Sequence, residues 1–151
     1  MILDRLGKEL LFFDGGMGTL LQAGGLKPGE LPETWNITHP EQITEIHRNY
    51  IQAGSDIILT NTFGANALKF HDDSCSLQEI VSAAVRHVKE ASAQAAVQGR
   101  SVYAALDIGP TGKLLKPMGD LEFEEAYEAF GEVVRYGTEA GADLILSLIH
   151  I

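Results

Sequence analysis

One cysteine, Cys75, stands in a chain of 151 residues. An internal disulfide is thereby excluded, and so is a zinc site built from several thiolates of this chain. Cations are also scarce: 11 Lys and Arg stand against 21 Asp and Glu, a formal charge of −10. A surface of that sign repels phosphate backbones and anionic lipid, so neither nucleic acid nor a membrane is expected as a partner. No apolar run approaches the roughly 18 residues that cross a bilayer. The first residues, MILDRLGKELLFFDGG, carry Asp4 and Glu9 among their apolar positions and lack the layout of a secretory signal. With 45% apolar and 21% charged residues, the composition argues against disorder and suffices for a core without staples. One domain in a reducing, cytoplasmic setting is the expectation.

Two periodicities alternate along the chain. Leu10 to Phe13 (LLFF) is a short apolar run of the kind a strand buried on both faces shows. Gly15, Gly16 and Gly18 follow, and MGTLLQAGG reads as a short helix closed at Gly24 and Gly25. Residues 26–39 hold two prolines and read as a surface loop. Pro40 opens a helix carrying Ile43, Ile46, His47, Tyr50 and Ile51 at helical spacing, and Gly54 ends it. A strand follows at Asp56–Leu59. A long helix over about 77–97 presents Ile80, Ala84, Val88 and Ala91, with Ser76 as its N-cap and Gly99 as its stop. Val102–Leu106 reads as a third strand, and residues 122–139 as a helix whose apolar stripe is Phe123, Tyr127, Phe130 and Val134. Asp143–Ile149 is a last apolar run. Short apolar strands separated by amphipathic helices indicate an α/β fold with a parallel sheet, either an open doubly wound sheet or a curved (βα) barrel.

In both architectures ligands gather at the C-terminal ends of the strands. There the sequence places DGGMGT, TNTFGAN and DIGPTG, each combining glycine with short polar side chains. Glycine lets backbone approach a ligand closely, although such residues also serve turns alone. Nucleotide binding fits poorly: the glycine spacing after Asp14 fails the dinucleotide fingerprint, and no Gly-Lys-Ser/Thr run exists. Asp14 either binds a ligand amine or caps the following helix, and its loop favours the ligand. His71, Asp72, Asp73 and Cys75 read as a polar loop rather than a metal cluster, and His47 and His87 as packing or surface residues. The acidic run Glu122, Glu124, Glu125 and Glu128 reads as a solvated helix face. Trp35 and Asn36 either fold over a site or pin the long loop down.

The segments FDGGMGTLLQ, PETWNITHPEQITEIHRNYIQAGSDIILTNTFGAN and DIGPTGKLL resemble, in order and spacing, the homocysteine S-methyltransferase domain. The resemblance is greatest to the form found at the N-terminus of cobalamin-dependent methionine synthases, and it runs from about Leu10 to Ile145. It implies a (βα)8 barrel of TIM type that binds homocysteine and zinc at the C-terminal face and methylates the thiol to give methionine. Zinc lowers the thiol pKa so that a thiolate attacks the methyl group; the donor is methylcobalamin, betaine or S-methylmethionine. By resemblance, Asp14, Gly15 and Gly16 surround the amino-acid end of the substrate. Asn61, Thr62 and Phe63 match the second-strand loop, and Gly109, Pro110 and Thr111 the third.

The chain also departs from the pattern. A (βα)8 barrel takes roughly 250 residues, and about four βα units are legible, so residues 1–151 read as the N-terminal half of such a domain. The family's three zinc-binding cysteines, one alone and two adjacent on later strands, have no counterpart, Cys75 included. No metal ligand or catalytic residue is therefore assigned within this chain. Ser147 and Leu148 stand where the family has an Ile-Glu pair whose glutamate contacts the substrate amine. Residues LSLIHI resemble the translation of a transposase-end adapter, so 146–151 are expected to be foreign to the domain. The resulting expectation is a methyltransferase fragment inactive by itself, with folate or cobalamin modules elsewhere and open sheet edges prone to self-association. The alternatives are a non-catalytic half-barrel that binds an amino acid, or one half of a split methyltransferase.

Overall fold

A computed structural model describes residues 1–72, 74–97 and 99–149. Asp73 and the last two residues of the expected tail, His150 and Ile151, lie outside the described residues. Strands β1 (Ile57–Leu59), β2 (Tyr103–Ile108) and β3 (Leu144–Ser147) form a parallel sheet in that order. Ile57 aligns with Tyr103, and Ala105 to Ile108 align with Leu144 to Ser147. Parallel neighbours need crossovers, and α4 (Leu77–Val97) and α5 (Phe123–Glu139) supply them. The helices α1 (Met17–Ala23), α2 (Trp35–Thr38) and α3 (Pro40–Ala53) precede β1.

Strand alternation sorts the core. Ile58 and Ala104 pack with Val88 and Ala91 of α4, and Leu106 and Ile108 with Ile80, Val85 and Val133 of α4 and α5. The intervening positions Ile57, Leu59, Tyr103 and Ala105 face the other way and gather Ile2 from the N-terminal turn. Period-two alternation puts Asp107 on that second face, at the C-terminal end of β2. The helix ends follow the local signals. Gly54 closes α3 at φ +116°, and Ser76 and Glu79 form a reciprocal cap on α4, with the Glu79 N–H on Ser76 Oγ at 3.2 Å and the Ser76 N–H on the Glu79 carboxylate at 2.8 Å.

Three expectations need correction. Leu10–Phe13 forms no strand of its own: Phe13 makes one bridge to Ile57, and the Phe12 carbonyl accepts the N–H groups of Asp56 and Ile57. Leu10 and Phe12 are 81% and 60% exposed, because no strand covers their outer side among the described residues. Residues 26–39 are more ordered than a loop. They contain a 3-10 turn at Pro32–Thr34 and then α2, held by Trp35 packing against Leu21 and Ile43.

The third correction concerns α5. It buries Ala126, Ala129, Val133 and Gly137; of the expected stripe, Phe130 and Val134 pack half-buried against the core, whereas the Phe123 and Tyr127 rings stack on each other in solvent with centroids 6.4 Å apart. The small-residue stripe wins because it allows closer approach to the sheet. A Cβ on Gly137 would stand 2.5 Å from the Leu106 side chain.

Candidate functional site at the strand ends

The loops that leave Phe13 and β1 meet the C-terminal end of β2 around a cavity of about 300 Å³. Asp14, Gly15, Gly16, Asn61 and Phe63 line it, together with Met17, Leu59, Thr60, Glu33, Asp107 and Leu148. A larger, more open groove of about 570 Å³ lies elsewhere, between Pro40–Arg48 of α3 and Glu90 of α4, away from the strand ends.

Asp14 is tied to the sheet through both backbone and side chain. Its N–H donates to the Ile57 carbonyl at 3.0 Å, and its carboxylate accepts the Leu59 N–H at 3.1 and 3.2 Å. It does not cap α1, whose N-cap is Gly16. Burial pushes its pKa up to about 7; the Leu59 N–H opposes the rise and the charge on Asp107 adds to it. Gly15 has a steric reason: a Cβ there would stand 2.8 Å from Tyr50 Oη, which donates to the Gly16 carbonyl at 3.0 Å.

The second loop is built by polar cross-ties. The Asn61 amide donates to the Pro32 carbonyl at 2.8 Å and to Asn36 Oδ1 at 3.2 Å, and the Asn36 amide returns a bond to the Asn61 carbonyl at 2.8 Å. Thr60 and Thr62 grip β2: Thr60 Oγ1 accepts the Asp107 N–H at 3.1 Å, and Thr62 Oγ1 donates to the Asp107 carbonyl at 2.7 Å. Thr62 is thus buried structure beneath the cavity, while Phe63 presents a half-exposed ring at its mouth. Gly109 allows the third loop to pass, since a Cβ would fall 2.2 Å from the Phe63 carbonyl. Gly109, Pro110 and Thr111 do not line the cavity. Pro110 is exposed, and Thr111 bonds locally to Lys113 at 3.2 Å.

Two residues that the sequence reading passed over belong to the site. Glu33 is 4% exposed and accepts the Gly64 N–H at 2.6 Å. Asp107 is 7% exposed, and its Oδ1 is buried with no hydrogen-bond partner. Burial, and next the charge on Glu33, pushes the Asp107 pKa up to about 6. The strand alternation that places Tyr103 and Ala105 on the second face was the available signal for Asp107.

The remaining candidates are structural. Trp35 pins its loop, with Nε1 donating to Glu30 at 2.9 Å and its ring stacked on His39 at 4.1 Å. His47 and His87 are both buried; His87 Nε2 meets the Asn36 carbonyl at 2.7 Å, whereas neither ring nitrogen of His47 has a partner. Desolvation pulls the His47 pKa down to about 3. Cys75 sits beside Asp72 and Ser74 in the loop before α4, outside the cavity. Among the described residues no three His, Cys, Asp or Glu side chains converge as metal ligands, and the cavity is lined by no thiol or imidazole. A thiolate-bound zinc does not fit these residues.

The sequence model of the family described as Homocysteine S-methyltransferase matches residues 11–148. Methionine synthase from Mycobacterium tuberculosis (strain ATCC 25618 / H37Rv) is 31% identical over 153 aligned residues, covering 96% of this chain and 13% of that protein. Methionine synthase from Mycobacterium leprae (strain TN) is 28% identical with the same coverage. Among solved structures, the metallated form of the homocysteine methyltransferase MmuM from Escherichia coli superposes with a TM-score of 0.80 at 22% identity, covering 95% of this chain and 55% of its own. The oxidized form gives 0.78 at 24% identity, covering 95% of this chain and 53% of its own. The chain therefore spans about half the length of these solved methyltransferases and 13% of the synthases. With a family match across nearly all of its length, and with two of its loop motifs and the aspartate that opens the third lining one cavity, the chain belongs to the homocysteine S-methyltransferase family.

Proposed function

We propose that this chain is the N-terminal half of a homocysteine S-methyltransferase domain and holds the amino-acid end of homocysteine while its sulfur is methylated to give methionine. One observation carries this reading: DGGMGT and TNTFGAN, separate in sequence, line a single cavity of about 300 Å³ at the strand ends, and the aspartate that opens DIGPTG joins them. Among the described residues three acids and no base line that cavity, which suits the ammonium group of an amino acid. Asp14, Gly15 and Gly16 surround the amino-acid end. Asn61 and Thr62 brace the second loop, Phe63 borders the mouth, and Gly109, Pro110 and Thr111 shape the third loop.

In this reading the chain supplies four strand positions, counting Leu10–Phe13, of the eight that close a TIM-type barrel. The zinc ligands and the site for the methyl donor, methylcobalamin among the candidates, come from outside residues 1–151. The whole enzyme works in the cytoplasm. Purified chain incubated with homocysteine and each of methylcobalamin, betaine and S-methylmethionine is expected to form no methionine above a no-enzyme control. Adding the segment that completes the barrel is expected to restore formation. Methionine made by the chain alone would overturn this division of labour. Homocysteine binding without restored activity would instead favour a non-catalytic amino-acid-binding module.

A further inference from the structure

Among the described residues, Asp107 is the one acid of the cavity with a fully buried carboxylate oxygen that has no hydrogen-bond partner. Asp14 is engaged by the Leu59 N–H, and Glu33 by the Gly64 N–H. Asp107 is only 7% exposed, its Oδ1 is out of contact with solvent, and among the described residues no donor reaches that atom. Its backbone is clamped on both sides, N–H to Thr60 and carbonyl to Thr62, which fixes the point on β2 from which the side chain projects. A buried acceptor with no donor is destabilising, and such an exception in a well-tied segment calls for an explanation. Asp107 lines the cavity, so a turn of its carboxylate presents that oxygen to a cationic donor entering there, and among the described residues no Lys, Arg or His lines the cavity to satisfy it.

We propose that Asp107 is a second anionic contact for the ammonium group of the amino acid held here, acting beside Asp14 from the neighbouring strand. This inference rests on the homocysteine reading above and names a residue that determines specificity within it. It also gives the site an amine acceptor at β2, next to the β3 position where Ser147 and Leu148 carry no acid. The groups that face Asp107 are Asp14, whose pKa it helps to raise, and Glu33, whose charge helps to raise its own. Ammonium binding therefore favours the ionised form of Asp107 and draws its titration downward.

The test uses the full chain and two ligands, L-homocysteine and 4-mercaptobutyrate, which keeps the thiol and carboxylate but lacks the amine. By calorimetry at pH 7.5, Asp107→Asn is expected to weaken homocysteine binding about 10- to 100-fold, the usual worth of a charge-assisted bond. The affinity for 4-mercaptobutyrate is expected to stay within about twofold. A second measurement needs no variant to fold: carboxyl-carbon NMR of the wild-type chain, following Asp107 across pH with and without saturating homocysteine. Its midpoint is expected to fall by at least a full pH unit. Homocysteine binding that is equal in wild type and variant, or an Asp107 midpoint unmoved by homocysteine, overturns the proposal alone. Failure of the wild type to bind homocysteine at millimolar concentration overturns the homocysteine reading, and the proposal with it.

Discussion

Replacing Asp14 by asparagine removes one charge from a cavity lined, among the described residues, by three acids and no base, while an amide oxygen still accepts the Leu59 N–H. In the unfolded chain this carboxyl titrates near 3.8; in the fold, burial first and Asp107 later in rank raise it to about 7. The native state therefore binds the proton more tightly than the unfolded state. The destabilisation is absent below about pH 4, grows between that value and about 7, and is complete above it. The raised value corresponds to about 4 kcal/mol before screening. Solvent in the open cavity reduces that to about 1–2 kcal/mol. For a chain of this size the melting temperature moves by about 2–4 °C per kcal/mol. Asp14→Asn is thus expected to melt about 2–8 °C above wild type at pH 8, with the gain vanishing at pH 4, in circular-dichroism melts. The same variant is expected to lose homocysteine affinity, a stability gain at the expense of the site. A variant less stable than wild type at pH 8, or an equal gain at both pH values, refutes the reasoning.

Other perturbations probe other parts of the account. The His47 pKa is depressed from 6.5 to about 3, so the unfolded chain takes up a proton first as pH falls and stability declines from 6.5 downward. His47→Leu is expected to remove about 2 kcal/mol of that decline between pH 6.5 and 5; unchanged pH dependence in urea melts would count against it. Gly109→Ala drives a Cβ into the Phe63 carbonyl, and a loss of about 2 kcal/mol or more is expected, to be read by chemical denaturation; a neutral result would mean that the loop yields. The exposed edges at Phe12 (60%) and Ile145 (47%) are expected to drive self-association. The double variant Phe12→Lys, Ile145→Lys should then shift the sedimentation profile toward monomer, and an unshifted profile would locate association elsewhere.

The features legible in the sequence are those decided within a few residues. Pro40, Gly54 and the Ser76–Glu79 cap mark helix ends by local chemistry, and the structure places them where that chemistry requires. The fate of Leu10–Phe13 was not local, since a strand is completed by what lies on both its edges, and among the described residues only β1 lies beside it. Nor was the buried face of α5. Its large stripe at Phe123 and Tyr127 and its small stripe at Ala126, Ala129 and Val133 have the same helical period, and only the close approach to Leu106 selects the second.

The site shows the same division. Glycine-rich loops at strand ends announced the cavity, and Asp14 stood out among its glycines. Glu33 and Asp107 acquire meaning only through burial and partners, the first sealed under Gly64 and the second left with a bare oxygen. Residues that stiffen the frame, Asn36 and Thr60 among them, are visible only as cross-ties between loops.

The central claim is that the strand-end cavity receives homocysteine, and amide NMR of the uniformly 15N-labelled chain during titration with L-homocysteine tests it most directly. The account expects saturable shifts at Asp14–Gly18, Thr60–Phe63 and Asp107–Gly109, with little change elsewhere. No shifts at millimolar ligand, or shifts confined to the groove between Pro40–Arg48 and Glu90, would contradict it.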